Sequence, residues 1–240
     1  MQHCLGQNPE TMQTLEMNYN CRPYVVTTER KGSLADQKIV YTVYANGTVD
    51  MEVTIDPKTA DLRRAGVALG LGTTFNEVAY YGLGPWENYP DRRDGVLLGW
   101  YNSSITNLSE HYIKPQTTGD RGALRELILY RPFQNALRLQ AEGNVSFSLS
   151  RCTDADLMNA SHEWQLEPRP YLYLHLDGAL RGVGNGSCGA GTGTIPEYCI
   201  PQQPVTFKIR FSSGGLRPQP GVACPDDYLM DKMWNFRIRQ

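Results

Sequence analysis

Two stretches of this 240-residue chain gather residues that could do chemistry. The run Gly82-Leu83-Gly84-Pro85-Trp86-Glu87-Asn88-Tyr89-Pro90-Asp91-Arg92-Arg93 sets two flat rings, Trp86 and Tyr89, beside the hydrogen-bonding groups of Glu87, Asn88, Asp91 and Arg92. Stacking surface mixed with polar groups suits a sugar, although a structural turn braced by an Asp-Arg pair has the same composition. The second stretch, Gly182-Val183-Gly184-Asn185-Gly186-Ser187-Cys188-Gly189-Ala190-Gly191, repeats glycine as a phosphate cradle would. It lacks the Lys-Ser/Thr ending and the following amphipathic helix, and Pro196 soon interrupts, which argues against nucleotide binding.

A nucleophile needs a base at hydrogen-bond reach, and the four histidines, His3, His111, His162 and His175, sit in no serine- or cysteine-hydrolase motif. His175 occupies an alternating position of an apolar run and reads as structural. Glu87 could pair with Glu126 or with Asp177 as glycosidase acid and nucleophile, but spacing along the chain does not set the separation that such chemistry requires. The six cysteines, at 4, 21, 152, 188, 199 and 224, form neither a C-x-x-C pair nor a Cys/His cluster, so no metal site is expected. A chain of this length buries enough core to do without staples, which points to free or buried thiols.

These residues must be held by strands. Ile39-Val40-Tyr41-Thr42-Val43-Tyr44 and Val49-Asp50-Met51-Glu52-Val53-Thr54-Ile55 flank Asn46-Gly47, which predicts a hairpin with a type I′ turn. The pattern repeats in residues 136–141 and 145–149 around Glu142-Gly143-Asn144. Alternating apolar runs recur in residues 124–130, 171–176 and 205–211. One short helix is expected over residues 154–163, opened by Thr153 with Asp156 in an approximate capping box. The fold class is therefore all-β, an antiparallel sandwich of many strands with little helix.

Composition excludes several functions. A net charge of −2 with no basic run argues against a nucleic-acid partner. No apolar stretch approaches the roughly 18 residues of a membrane span, so no bilayer partner is expected. The first residues do not read as a secretory signal, and the compartment stays open.

The run from Tyr80 through Arg92 closely resembles the G-L-G-P-x-E-N-Y-P-D-R signature in the small-chain domain of glycoside hydrolase family 2 β-galactosidases from bacteria. The resemblance continues in order through Tyr112, Pro115, Gly119, Arg125-Glu126-Leu127, Asp156-Leu157-Met158, His162, Leu176-Asp177-Gly178 and Gly182-Val183-Gly184, covering residues 65–211. It implies a supersandwich like that of galactose mutarotases. It also implies that catalysis lies elsewhere, on two glutamates of an absent α/β barrel, with no catalytic residue in this chain. Residues 1–211 would be a small-chain domain lacking its usual Arg-Ala-Pro-x-Asp-Asn-Asp-like opening, and residues 212–240 a tail. The partners implied are a β-galactoside, the other domains of the same enzyme, and further copies in a homo-oligomer. The family's magnesium and sodium ions bind mainly outside this domain.

By position, the resemblance makes Gly84, Trp86, Glu87, Asn88, Tyr89 and Asp91 part of the pocket mouth, together with Asn185, Ser187 and Cys188 of the second loop. Cys188 stands where well-known relatives place a tryptophan that stacks on the sugar. A thiol has no aromatic face, so the platform is expected to have moved to Trp86. Two other readings remain open: a free-standing sugar-binding module, and an aldose epimerase using His175 and Glu126 as acid and base.

Overall fold

The computed structural model describes residues 22–131, 136–185, 189 and 191–214. Ser187, Cys188 and the tail beyond Gly214 therefore lie outside the described residues, as do Cys4, Cys21 and Cys224. The strands are β1 (Tyr24–Lys31), β2 (Ala35–Val43), β3 (Val49–Pro57), β4 (Arg64–Gly72), β5 (Glu77–Gly84) and β6 (Leu97–Ser104). They continue with β7 (Glu126–Tyr130), β8 (Ala136–Glu142), β9 (Ser146–Ser150), β10 (Tyr171–Leu180) and β11 (Val205–Gly214).

All pairings are antiparallel. Eight strands form one sheet in the order β1-β2-β3-β11-β8-β7-β5-β6, and three form a second in the order β4-β10-β9. Strand alternation decides which side chains face inward. On β10 it is Leu172, Leu174 and Leu176, on β3 Met51, Val53 and Ile55, and on β11 Phe207 and Ile209, all buried in one shared cluster. Fully burying a side chain of this size stabilises by about 2 kcal/mol, so the cluster is what holds the sheets face to face. The all-β antiparallel expectation is met.

Local differences have local causes. The β2–β3 hairpin forms, but its turn is not type I′. Among the described residues Ala123 is the only non-glycine with positive φ, so of the Asn46-Gly47 pair only Gly47, at φ 82°, takes the left-handed conformation. The Gly47 amide donates to the Tyr44 carbonyl at 3.0 Å, and the Asn46 side chain accepts from the Thr48 amide at 3.0 Å. Asn46 spends its polarity as a local acceptor and needs no positive φ. Residues 136–142 and 146–150 are strands, yet not hairpin partners. β8 pairs with β7 and β11, whereas β9 pairs with β10, because the chain changes sheets at Gly143.

The helix α1 (Asp154–Asn159) stops four residues short of the expected end. Its capping box is complete, with the Asp156 amide donating to Thr153 Oγ1 and the Thr153 amide donating to Asp156 Oδ2. Both oxygens of Asp156 also accept from Arg169 at 2.7 Å, which holds that carboxyl well below the usual range. Ala160 is already extended, and a separate 3-10 turn follows over Glu163–Gln165.

β5 of the large sheet ends at Gly84 and β10 of the small sheet at Leu180. The two glycine-rich loops therefore leave from different sheets, and any site they share exists only once the sheets have packed.

Candidate functional site

The loop after β5 is held from behind by buried polar groups. Asn88 has no exposed surface: its Nδ2 donates to the carbonyls of Leu83 and Trp86 at 3.2 Å, its Oδ1 accepts from the Gly122 amide at 2.9 Å, and its own amide donates to the Asp120 carbonyl. Arg121, also buried, donates from Nε to the Tyr80 hydroxyl at 3.1 Å and to the Pro85 carbonyl at 3.3 Å. Its Nη2 reaches the same Pro85 carbonyl, and its Nη1 donates to the carbonyls of Leu108 and Gly119 at 2.9 and 2.7 Å. One guanidinium thus ties together three chain segments.

Glu87 points inward rather than toward a substrate. Its Oε2 accepts from the Gly119 amide at 2.7 Å and from Thr118 Oγ1 at 3.1 Å, and its Oε1 accepts from the Tyr112 hydroxyl. The Tyr89 hydroxyl lies 3.3 Å from Glu87 Oε2 and 3.2 Å from the Thr117 carbonyl. Burial first, and then the Glu87 carboxylate, push both tyrosine hydroxyls well above their ordinary pKa, so they act as donors and never as phenolates at neutral pH. Gly84 is buried against Tyr80 and Tyr101, where a Cβ would come within 2.4 Å of the Tyr80 hydroxyl. Trp86 stands apart, with 66% of its surface exposed.

Asp91 clasps the two loops together. Its Oδ1 accepts from the Val183 amide at 3.0 Å and its Oδ2 from the Gly184 amide at 2.7 Å. The carboxylate sits so close that a Cβ on Gly182 would lie 2.6–2.8 Å from it, which explains a glycine there. The second loop closes on itself through the Asn185 amide to the Thr192 carbonyl at 2.8 Å and Thr194 Oγ1 to the Gly182 carbonyl at 2.6 Å. We expect Asp91→Asn, which keeps the shape but presents an N–H to an N–H, to cost about 1–2 kcal/mol. Hydrogen exchange at the Val183 or Gly184 amide would then quicken about tenfold, and unchanged protection would remove the clasp.

Between the loops lies an open cleft of about 490 Å3, walled by Tyr89, Arg92, Tyr112, Gln116 and Thr117 on one side and by residues 180–184, Gly193 and Thr194 on the other, with Asp61, Arg63 and Arg64 completing it. Asp61 is the one carboxylate among these lining residues. Among the described residues no group of three or more His, Cys, Asp and Glu side chains is placed to hold a metal ion. Glu126 forms a two-point ion pair with Arg138, at 2.7 and 3.0 Å, within the large sheet. His175 lies on β10 of the small sheet, opposite Ala68 and Ser148. Burial and the nearby Arg64 push its pKa down to about 4, leaving a neutral imidazole. Neither residue lines the cleft.

Behind the cleft a small acidic group is enclosed. Asp120 accepts from Ser146 Oγ at 3.1 Å, and Asp177 lies 3.7 Å from Arg64 Nη1 with no hydrogen bond to either carboxyl oxygen. Both carboxyls are buried, and burial raises the pKa of each, that of Asp177 to about 6.

The expected site residues thus divide. Gly84, Glu87, Asn88 and Asp91 hold the loop in place, Tyr89 does so while also lining the cleft, and Trp86 is the exposed one. Asn185 belongs to the second loop's own closure, while Ser187 and Cys188 lie outside the described residues. Arg92 stood out in the sequence, but Arg121 and the other arginines of the cleft, Arg63, Arg64 and Arg181, did not. The adjacent pair Arg63-Arg64 was visible, but its meeting with Arg181 depends on the β4–β10 pairing, and its meeting with Arg92 on the packing of the two sheets.

A family model described as the β-galactosidase small chain matches residues 3–211. Among curated relatives, the β-galactosidase of Oenococcus oeni is 34% identical over 165 residues, covering 67% of this chain and 15% of that protein. The β-galactosidase of Lactococcus lactis is 34% identical over 190 residues, with 76% and 18% covered, and that of Vibrio cholerae 30% identical over 181, with 75% and 17% covered. The chain spans less than a fifth of the length of these relatives. A solved structure of a GalM/aldose epimerase homologue from C. elegans aligns with a TM-score of 0.40 at 10% identity, over 84% of this chain and 68% of that one.

Proposed function

Since the chain belongs to the β-galactosidase small-chain family, we propose that it is one wall of a glycoside-hydrolase pocket whose reacting carboxylates sit on another domain of the same enzyme. The observation that carries this reading is the cleft itself: it is open and rich in donors, yet the single carboxylate lining it is taken up by an ion pair with Arg181. A retaining glycosidase needs two carboxyl groups about 5 Å apart, one as nucleophile and one as acid and then base. The cleft can bind and orient a sugar but cannot by itself cleave the glycosidic bond.

In this arrangement the buried network of Glu87, Asn88, Asp91 and Arg121 fixes the shape of the wall, and Trp86, exposed on the same loop outside the residues that line the cleft, offers a flat apolar face to the part of the substrate that extends beyond the cleft. Preorganising that wall lowers the ordering cost of substrate binding. No metal is assigned to this domain; magnesium and sodium, where the whole enzyme uses them, would be held mainly by its other domains.

The test is hydrolysis of a chromogenic β-galactoside by the chain alone and after mixing with a polypeptide carrying the barrel domains. Silence alone with activity on mixing is the expected result. Turnover by the purified chain would overturn the proposal. In the mixed enzyme Trp86→Ala is expected to raise KM about tenfold with little change in kcat, the size of one lost stacking contact. An unchanged KM would show that the aromatic platform lies elsewhere.

A further inference from the structure

A neutral galactoside does not account for the charge of this cleft. Four arginines line it, Arg63, Arg64, Arg92 and Arg181, against one acid, Asp61, in a chain whose net charge is −2. Asp61 holds Arg181 at 2.6 Å but is itself 85% exposed, where screening weakens its field. Arg64 is offset by two carboxylates, Asp177 at 3.7 Å and Asp154 at 3.9 Å from its buried Nη1, which leaves Arg63 and Arg92 as the arginines to consider. Among the described residues neither Arg63 nor Arg92 has a carboxylate within ion-pair distance, and Arg92 Nη2 reaches only the Gly184 carbonyl, at 3.5 Å. Guanidinium groups gathered in a concave surface repel one another and raise the local potential, which an oxyanion would relieve with charge-assisted hydrogen bonds. The adjoining loop already binds one such group, since the Val183 and Gly184 amides both donate to the Asp91 carboxylate.

We propose that the cleft takes an acidic sugar, a galactose-type ring bearing an oxyanion as a sulfate ester or a carboxylate, with Arg63 and Arg92 as the groups that select the charge. This rests on the reading of the cleft as part of a glycoside pocket. The ring would lie toward the tyrosine wall of Tyr89 and Tyr112, and the anion toward the arginines.

The test titrates the full chain, at about 0.15 M salt, with galactose, galactose 6-sulfate, galacturonic acid and inorganic sulfate, following backbone amide shifts by NMR. At least one charged sugar should bind about tenfold more tightly than galactose, and which one does so identifies the anion. The advantage should shrink as salt is raised. Arg63→Gln with Arg92→Gln should erase it in a chain that keeps its thermal midpoint. Equal binding of galactose and both charged sugars would overturn the proposal. So would inorganic sulfate binding as tightly as the sugar sulfate, which marks an adventitious ion only. If the double substitution instead abolished activity on mixing while no charged sugar was preferred, the arginines would be receiving carboxylates of another domain, and the proposal would fall. Activity restored on mixing without a charge preference sinks this inference alone. A charge preference without restored activity sinks the pocket-completing reading and leaves an acidic-sugar binder.

Discussion

Replacing Arg121 with methionine should lower the stability of the chain by about 3–5 kcal/mol, among the largest losses a single change can cause here. The substitution keeps much of the side-chain volume and removes every donor. The carbonyls of Leu108 and Gly119 would lose their guanidinium partner in a place that water does not reach, and the Pro85 carbonyl would lose its partner at the half-buried edge. A buried acceptor left unpaired costs about 1–3 kcal/mol, and three do not relax independently. The neighbouring Asp120 would also lose a positive charge that favours its ionised form. Lysine would rescue little, because a point charge cannot reproduce a fork that reaches three segments at once. The exposed pair of Arg210 with Asp50 is the control, and Arg210→Met should cost under about 1 kcal/mol. Thermal unfolding decides: a drop of about 10 °C for Arg121→Met is expected, and a loss no larger than the control would show that the residue does not hold the loop.

The second large effect is in pH dependence, and it emerges on substitution. Asp177 has its folded pKa raised to about 6, by burial first, so it favours the folded state at low pH and that contribution is lost as pH rises through 6. His175 has its folded pKa depressed to about 4, by burial and then by Arg64, so its contribution is present above the ordinary imidazole value of 6.5 and is lost as pH falls through 4. Between pH 4 and 6 the two oppose each other. Arg64 and Asp154 act on both groups, and Asp120, also raised, adds to the falling trend at higher pH. Asp177→Asn should therefore leave a chain that loses roughly 2 kcal/mol on acidification from pH 6.5 to 4, whereas His175→Gln should gain a similar amount over the same range. Denaturant unfolding at several pH values checks this, and parallel slopes in the two variants would contradict the burial assigned to these groups.

The sequence was most legible where one face of a strand is wet. The alternation in β3, β10 and β11 announced those strands because their outward residues are polar. β5 carries the consecutive buried residues Val78, Ala79 and Tyr80, covered on both faces, and offers no alternation to read. β6 opens with Leu97 and Leu98, which are exposed, against the usual pattern. The site showed the same limit. The run from Gly82 to Arg93 marked itself by composition, but the work of its side chains did not. Glu87 looked available to a substrate because its partners, Tyr112, Thr118 and Gly119, lie 25 to 32 residues further along. The Asp91 clasp spans 92 and 93 residues, and no local pattern encodes it.

The position of β11 bears on how the chain is made. The strand is the last one described, yet it sits inside the large sheet, between β3 and β8. During synthesis β3 and β8 emerge first and must wait for it with their hydrogen-bonding edges open. Such edges invite pairing with other nascent chains on the same messenger, so the interval before residues 205–214 leave the ribosome is when a holdase chaperone would most raise the yield.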